Sequence, residues 1–251
     1  MSTITRCDPD RAPLRHRCAS ALLVTSVAGV KELTTIIDRL PLRERFSRKP
    51  GGQRWSRHIS AALPLADEAG MTEPAEVADR ADVVVDGVWT WAVSNSNIGG
   101  ATSSCQALAA DGEVVLIDPL RLADHAFDEL PRPTAIVLTA KCHQRSAWRY
   151  RSQLGVEVWA PADAPEADEQ PDRRYAERDP LPGGLRAIRT PGPERAHYCL
   201  VRDAAPHVLF CSDLLMSGED GRLELVPARF HDDPAETRRS VERLLEVPFD
   251  V

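Results

Sequence analysis

From Val83 onward the chain alternates short apolar runs with turn-forming residues. That rhythm favours a layered arrangement of strands and helices. Val83-Val84-Val85 is followed by Asp86-Gly87 and then Val88-Trp89, a strand with a turn signal inside it. Residues 105–109 and 113–117 flank Ala110-Asp111-Gly112, the mark of a hairpin, and Asp118-Pro119 ends its second strand. Helix is expected over residues 121–130 and 143–154, the latter stopped by Gly155. A buried strand is expected over 134–138 and a short one over 156–159. The acidic, proline-rich stretch 161–182 is expected to be an exposed loop. Residues 185–189, 198–201 and 208–211 supply three more strands. Asp233-Pro234 starts a helix, an N-cap followed by proline in the first turn, with Val241, Leu244 and Leu245 as its apolar face.

The first seventy residues differ from the rest. They hold 12 Lys and Arg against 7 Asp and Glu, a net charge of +5, which leaves −12 for the remaining residues. They carry one short apolar segment, too little buried surface to offset chain entropy. The expected organisation is therefore a basic extension over residues 1–70, disordered or an over-called start, and a folded domain over 71–251. An acidic domain repels phosphates, so nucleic-acid binding is not expected. The aromatic and basic cluster Trp148 to Arg151 does not change this, because helical spacing scatters it over several faces. The run from Ala19 to Val30 resembles a signal peptide only superficially, since its positive flank lies late and no small-x-small cleavage site follows. No apolar stretch reaches the roughly 18 residues needed to cross a bilayer. The six cysteines form no C-x-x-C pair. Cys105, Cys199 and Cys211 lie in apolar runs, as small buried hydrophobes do. Reduced thiols and a cytoplasmic location are expected.

Five segments carry the chemistry, in this order. They are Asp86-Gly87-Val88-Trp89, then Val115-Leu116-Ile117-Asp118-Pro119, then Leu138-Thr139 running into Ala140-Lys141-Cys142-His143-Gln144-Arg145. Thr190-Pro191-Gly192-Pro193-Glu194-Arg195-Ala196-His197 follows, and Val208-Leu209-Phe210-Cys211-Ser212-Asp213 comes last. Together, over about residues 83–251, they resemble the metallo-β-lactamase-like hydrolase superfamily. That superfamily writes H-x-H-x-D-H after its Leu-Thr pair, T-P-G-H-T-x-G-H in its second motif, and a strand ending in a bridging aspartate. The resemblance implies an α/β fold, the αβ/βα sandwich, with a metal site at one edge between two sheets. A final histidine would follow a strand like the one at Phe249-Asp250-Val251, so the family's last strand-loop is expected to be missing.

Carried over by position, the first motif's two leading histidines fall on Ala140 and Cys142, its aspartate on Gln144 and its last histidine on Arg145. The second motif's ligand falls on Pro193, and the bridging aspartate on Asp213. A catalytic zinc of this type needs about three protein ligands and an open position for water, whose pKa it lowers to about 7. Alanine and proline have no donor atom, glutamine offers a weak one, and arginine brings a positive charge. Only Asp213 and Cys142 remain as metal ligands, in a reduced site. The resemblance further implies a structural, hydrogen-bonded role for His197. Arg145 is expected to stand in for the metal by pairing with Asp213. Asp118 is expected to be structural, and Ser94-Asn95-Ser96-Asn97 either a solvent loop or one lining a ligand pocket.

Two functional classes follow. The first is a superfamily member without conventional zinc hydrolysis, in a binding, regulatory or vestigial role, with no cofactor and a small-molecule ligand. The second is a hydrolase of an ester, thioester or related bond, holding one zinc through Cys142, His143 and Asp213. A weaker third is cysteine chemistry at Cys142 with His143, the thiol made reactive by neighbouring Lys141 and Arg145.

Overall fold

The computed structural model describes residues 73–164, 167–217 and 223–251, so the basic segment and the boundary expected at Met71 lie outside the described residues. The first sheet has seven strands in sequence order: β1 (Asp82–Val85), β2 (Val88–Asn95), β3 (Ala101–Ala110), β4 (Glu113–Ile117), β5 (Ala135–Val137), β6 (Glu157–Pro161) and β7 (Arg173–Tyr175). Pairing is antiparallel from β1 to β4 and parallel from β4 to β7. The second sheet runs β11 (Val208–Phe210), β10 (Tyr198–Arg202), β9 (Leu185–Arg189) and β8 (Pro180–Leu181), all antiparallel. A small ribbon pairs β12 (Leu215–Ser217) with β13 (Leu223–Leu225).

Strand side chains alternate between faces, so each buried sheet feeds two cores. On β4, Val115 and Ile117 enter the core between the sheets, while Leu116 faces the other way. On β10, Tyr198 and Leu200 point inward while Cys199 and Val201 point outward. The outer face of the first sheet is covered by α1 (Asp124–Phe127) and α2 (Ala147–Leu154), through Ala126, Ala147 and Tyr150. The outer face of the second is covered by α3 (Pro234–Leu244), through Val241 and Leu244, with Leu245 packed alongside. The layers are helix, sheet, sheet, helix: the αβ/βα sandwich. No helix among the described residues is long and apolar enough to cross a membrane.

Both hairpins stand at the expected turns, Gly155 ends α2 in the left-handed conformation, and Asp233 caps α3 by accepting from the Ala235 and Glu236 amides. Two expectations are corrected. The helix expected over 121–130 shrinks to Asp124–Phe127, because an Ala78–Leu122 bridge and a bond from the Leu122 amide to Tyr150 Oη hold its start extended. The stretch expected to be loop over 161–182 contains β7 and β8. Tyr175 is its anchor, buried, with its hydroxyl donating to Leu138 O at 2.6 Å.

Candidate functional site

The sheets meet where β5 ends. There the Tyr198 amide of the second sheet donates to Thr139 O at 2.9 Å. Asp118, just past β4, receives the Thr139 amide at 2.7 Å and the Thr139 hydroxyl at 2.5 Å. Its buried carboxylate therefore fixes the strand end from which a short 3-10 turn, Lys141–His143, departs.

That turn drives His143 inward. The ring is 2% exposed and lies between two carboxylates, with Nδ1 at 3.0 Å from Asp118 Oδ2 and Nε2 at 2.9 Å from Asp213 Oδ2. A carboxylate can only accept, so each nitrogen donates and the ring is an imidazolium. Burial alone would lower its pKa, but the Asp213 charge, with Cys142 and Asp118, raises it well above the ordinary value. Asp213 is driven well below the carboxylate range: burial works the other way, and His143, Arg145 and His197 outweigh it. The Asp213 side chain is 45% exposed, so water screens part of this pairing.

The second histidine is held differently. His197 is fully buried; Nδ1 donates to Thr190 O at 2.9 Å, and Nε2 accepts the Asp213 amide at 3.2 Å. One nitrogen donates and one accepts, so this ring is neutral. Burial lowers its pKa to about 4.

The other expected residues fall around these two. Gln144 is turned away: its Nε2 donates to Lys141 O, while its Oε1 accepts from Trp148 Nε1 and the Asp168 amide. The expected Arg145–Asp213 pair is not formed. The Arg145 guanidinium donates to Ser104 O at 2.6 Å and Asp118 O at 3.3 Å, and His143 takes Asp213. The physical reason is backbone direction, since Arg145 has a φ of 40° and leaves the turn on the side of the first sheet. The thiol expectation is also corrected, because burial raises the Cys142 pKa, His143 opposes it, and Asp213 and Glu194 add to it. The serine beside the ring is no better a nucleophile. Ser212 Oγ lies 3.2 Å from His143 Nδ1, but both ring protons are committed to carboxylates and no lone pair remains to take the hydroxyl proton. In the Ser94–Asn97 segment, Asn95 is buried and bonds Ser103 Oγ at 3.0 Å, while Ser94, Ser96 and Asn97 are exposed.

Sequence reasoning missed two contributors. Glu194 accepts the Lys141 amide at 2.6 Å and lies within hydrogen-bond reach of the Cys142 thiol. Ser212 bonds Thr139 Oγ1 at 2.7 Å. A local signal was present in the backbone: Asp118, Arg145 and Ser212 are non-glycine residues with φ of 50°, 40° and 51°. Such strain collects where surrounding contacts over-determine a site.

The superfamily's two-ion centre does not fit this donor set. Ala140 and Pro193 lack donors, Gln144 is fully engaged and Arg145 is a cation. A single ion does fit, since ligand atoms of Cys142, His143 and Asp213 all lie within 4.8 Å of one another. The thiol and the imidazole suit a borderline dication such as zinc, and Asp118 would then orient His143 from behind, as carboxylates do for ligating histidines.

A comparison with curated proteins returns no match. Among solved structures, similar chains include the BLEG-1 B3 metallo-beta-lactamase, with 17% identity over 63% of this chain and 87% of that one and a TM-score of 0.47. TTHA1623 in a di-iron-bound form has 23% identity over 64% and 82%, with a TM-score of 0.43. ST1585 from Sulfolobus tokodaii, an archaeal metallo-beta-lactamase superfamily protein, has 18% identity over 58% and 70%, with a TM-score of 0.44. The family model described as the metallo-beta-lactamase superfamily matches residues 139–251, which hold the His143 turn, the His197 loop and Asp213. Over that portion the chain is similar to the metallo-β-lactamase superfamily.

Proposed function

We propose that this domain no longer performs two-metal hydrolysis and serves a binding or regulatory role toward a small ligand. The observation that carries the reading is the position of His143. Its imidazolium supplies, between Asp118 and Asp213, the positive charge that a metal would otherwise bring to those carboxylates. The net charge of −12 beyond residue 70 supports a small ligand over a nucleic acid.

The test is unfolding of the metal-free full chain. If His143 is the internal counter-charge, the metal-free wild type is folded and His143→Ala is strongly destabilised. If a metal is the true counter-charge, removing metal from the wild type destabilises it by as much as the substitution does. Turnover of thioester, ester or β-lactam substrates that requires two bound ions per chain would contradict the proposal.

A second reading has one observation in its favour, the proximity of Cys142, His143 and Asp213. It is a mononuclear hydrolase in which these three hold an ion and a fourth position stays open for water. It requires metal-dependent turnover at one ion per chain.

A further inference from the structure

We propose that Cys199 and Cys211 are a redox site, a cross-strand dithiol that closes to a reversible disulfide at the strand end carrying Asp213. The inference is independent of the reading above, since it needs neither a metal nor a small ligand.

Register brings the two together. β10 and β11 run antiparallel, with Leu200 opposite Phe210 and Val201 opposite Leu209. The next rung past Phe210 sets Cys199 against Cys211. Side chains alternate along a strand, so Cys211 shares the face of Leu209. Cys199 and Leu209 lie in the core under α3, and Cys211 packs against it.

The backbone bonds decide how close the pair is. The Leu209 amide donates to Val251 O at 2.8 Å, away from β10, so Cys211, two residues on, also turns its polar backbone away. The Thr190 amide donates to His197 O at 2.9 Å, so Cys199, two residues on, turns its own toward β9. Both lines make the Cys199–Cys211 rung non-hydrogen-bonded, the kind whose Cα atoms stand about 4.5 Å apart with side chains closest. A disulfide spans roughly 4.4 to 6.8 Å between Cα atoms, so the rung meets the short end of that range.

The Cys199 sulfur already points across. It donates to Cys211 O at 3.3 Å and accepts from Thr190 Oγ1 at 3.4 Å. Cys199 is fully buried, whereas Cys211 is half-buried and gives a reagent its way in. Burial pushes both thiols up, Cys211 to about 12, so closure at neutral pH is slow.

The step is thiol–disulfide exchange. The Cys211 sulfur attacks a small disulfide and releases one thiol; Cys199 then attacks the Cys211 sulfur and releases the second. The two cysteines are oxidised, the small disulfide is reduced, and both cysteine protons end on the released thiols. Cys211 O loses the thiol donor but keeps the Leu214 amide. The link would bear on the site because Cys211 leads straight into Ser212 and Asp213. From the other side, Thr190 holds both the Cys199 sulfur and His197, the ring that accepts the Asp213 amide. A link at the short limit of its span is the readily reduced, regulatory kind.

The probe is oxidised glutathione, equilibrated with the metal-free full chain before unfolding, alkylation of the remaining thiols and peptide mass mapping. The expected product is one peptide pair joined through Cys199 and Cys211, released by dithiothreitol and absent in Cys199→Ser and Cys211→Ser. Cys199→Ala serves as a second variant should the serine form fold poorly. Oxidation is also expected to shift the His143 ring-nitrogen resonances, and reduction to restore them. Cys199 and Cys211 both alkylated in the treated wild type, or joined only to glutathione or to other cysteines, would overturn the proposal. A joined pair that leaves the His143 signals in place would overturn its coupling to the site. Neither result bears on the metal-free unfolding test of the proposed function.

Discussion

Two turns of the same site contain a buried histidine each, and the two rings differ in charge. In the Lys141–Arg145 turn His143 lies between two carboxylates and is a cation; in the Thr190–His197 loop His197 lies between a carbonyl and an amide and is neutral. Burial is equal, so the hydrogen-bond partners decide the charge. In the loop, His197 braces the backbone between Thr190 and Asp213. The turn instead carries an internal ion pair, made by His143 with Asp118 and Asp213.

The largest effect that could break this contrast is His143→Ala, which strands the Asp118 carboxylate in the interior. A loss of about 3 kcal/mol is expected in denaturant unfolding of the metal-free protein, near the low end for removing one partner of a buried pair because Asp213 keeps contact with water. His197→Ala should cost about 2 kcal/mol, since it orphans the Asp213 amide and the Thr190 carbonyl without removing a charge.

The pH dependence sharpens the comparison, because the two rings act with opposite sign. The His143 pKa is raised above its ordinary 6.5, so its contribution is fully present below that value and is lost as pH rises through the folded pKa. His197 is lowered from 6.5 to about 4, so its contribution is present above 6.5 and is lost as pH falls toward 4. His231, also lowered by burial, adds to the acid side. Stability should therefore peak near pH 6.5, with limbs of up to about 1.4 kcal/mol per pH unit per group. His143→Ala should flatten the alkaline limb and His197→Ala the acid one, in unfolding curves taken across this range. A wild-type profile with no maximum in this region would break the contrast.

The smallest effect concerns Arg145. Lysine in its place loses the fork that reaches Ser104 O and Asp118 O, at a cost of about 1 kcal/mol, and leaves the alkaline limb unchanged. Loss of that limb would mean that Arg145, rather than His143, is the charge felt by Asp213.

The layered fold was legible in the residues because the apolar runs of β4 and β10 and the turns at Asp86-Gly87 and Asp111-Gly112 are local signals. β7 was not, since Arg173-Arg174-Tyr175 buries one side chain and owes its strand to parallel pairing with β6. At the site, Cys142 and Asp213 followed from aligned motif positions. The ion pair did not: His143 stands one residue off the inherited ligand positions, and its partners are 25 and 70 residues away.

The protonation of one ring decides most directly whether the pocket holds its own cation. Nitrogen-15 NMR of the metal-free protein near pH 7, assigned with a His143→Gln variant, reports both nitrogens of that side chain. An imidazolium clamp predicts two protonated ring nitrogens, each coupled to its own hydrogen. A neutral ring with one bare nitrogen would contradict it.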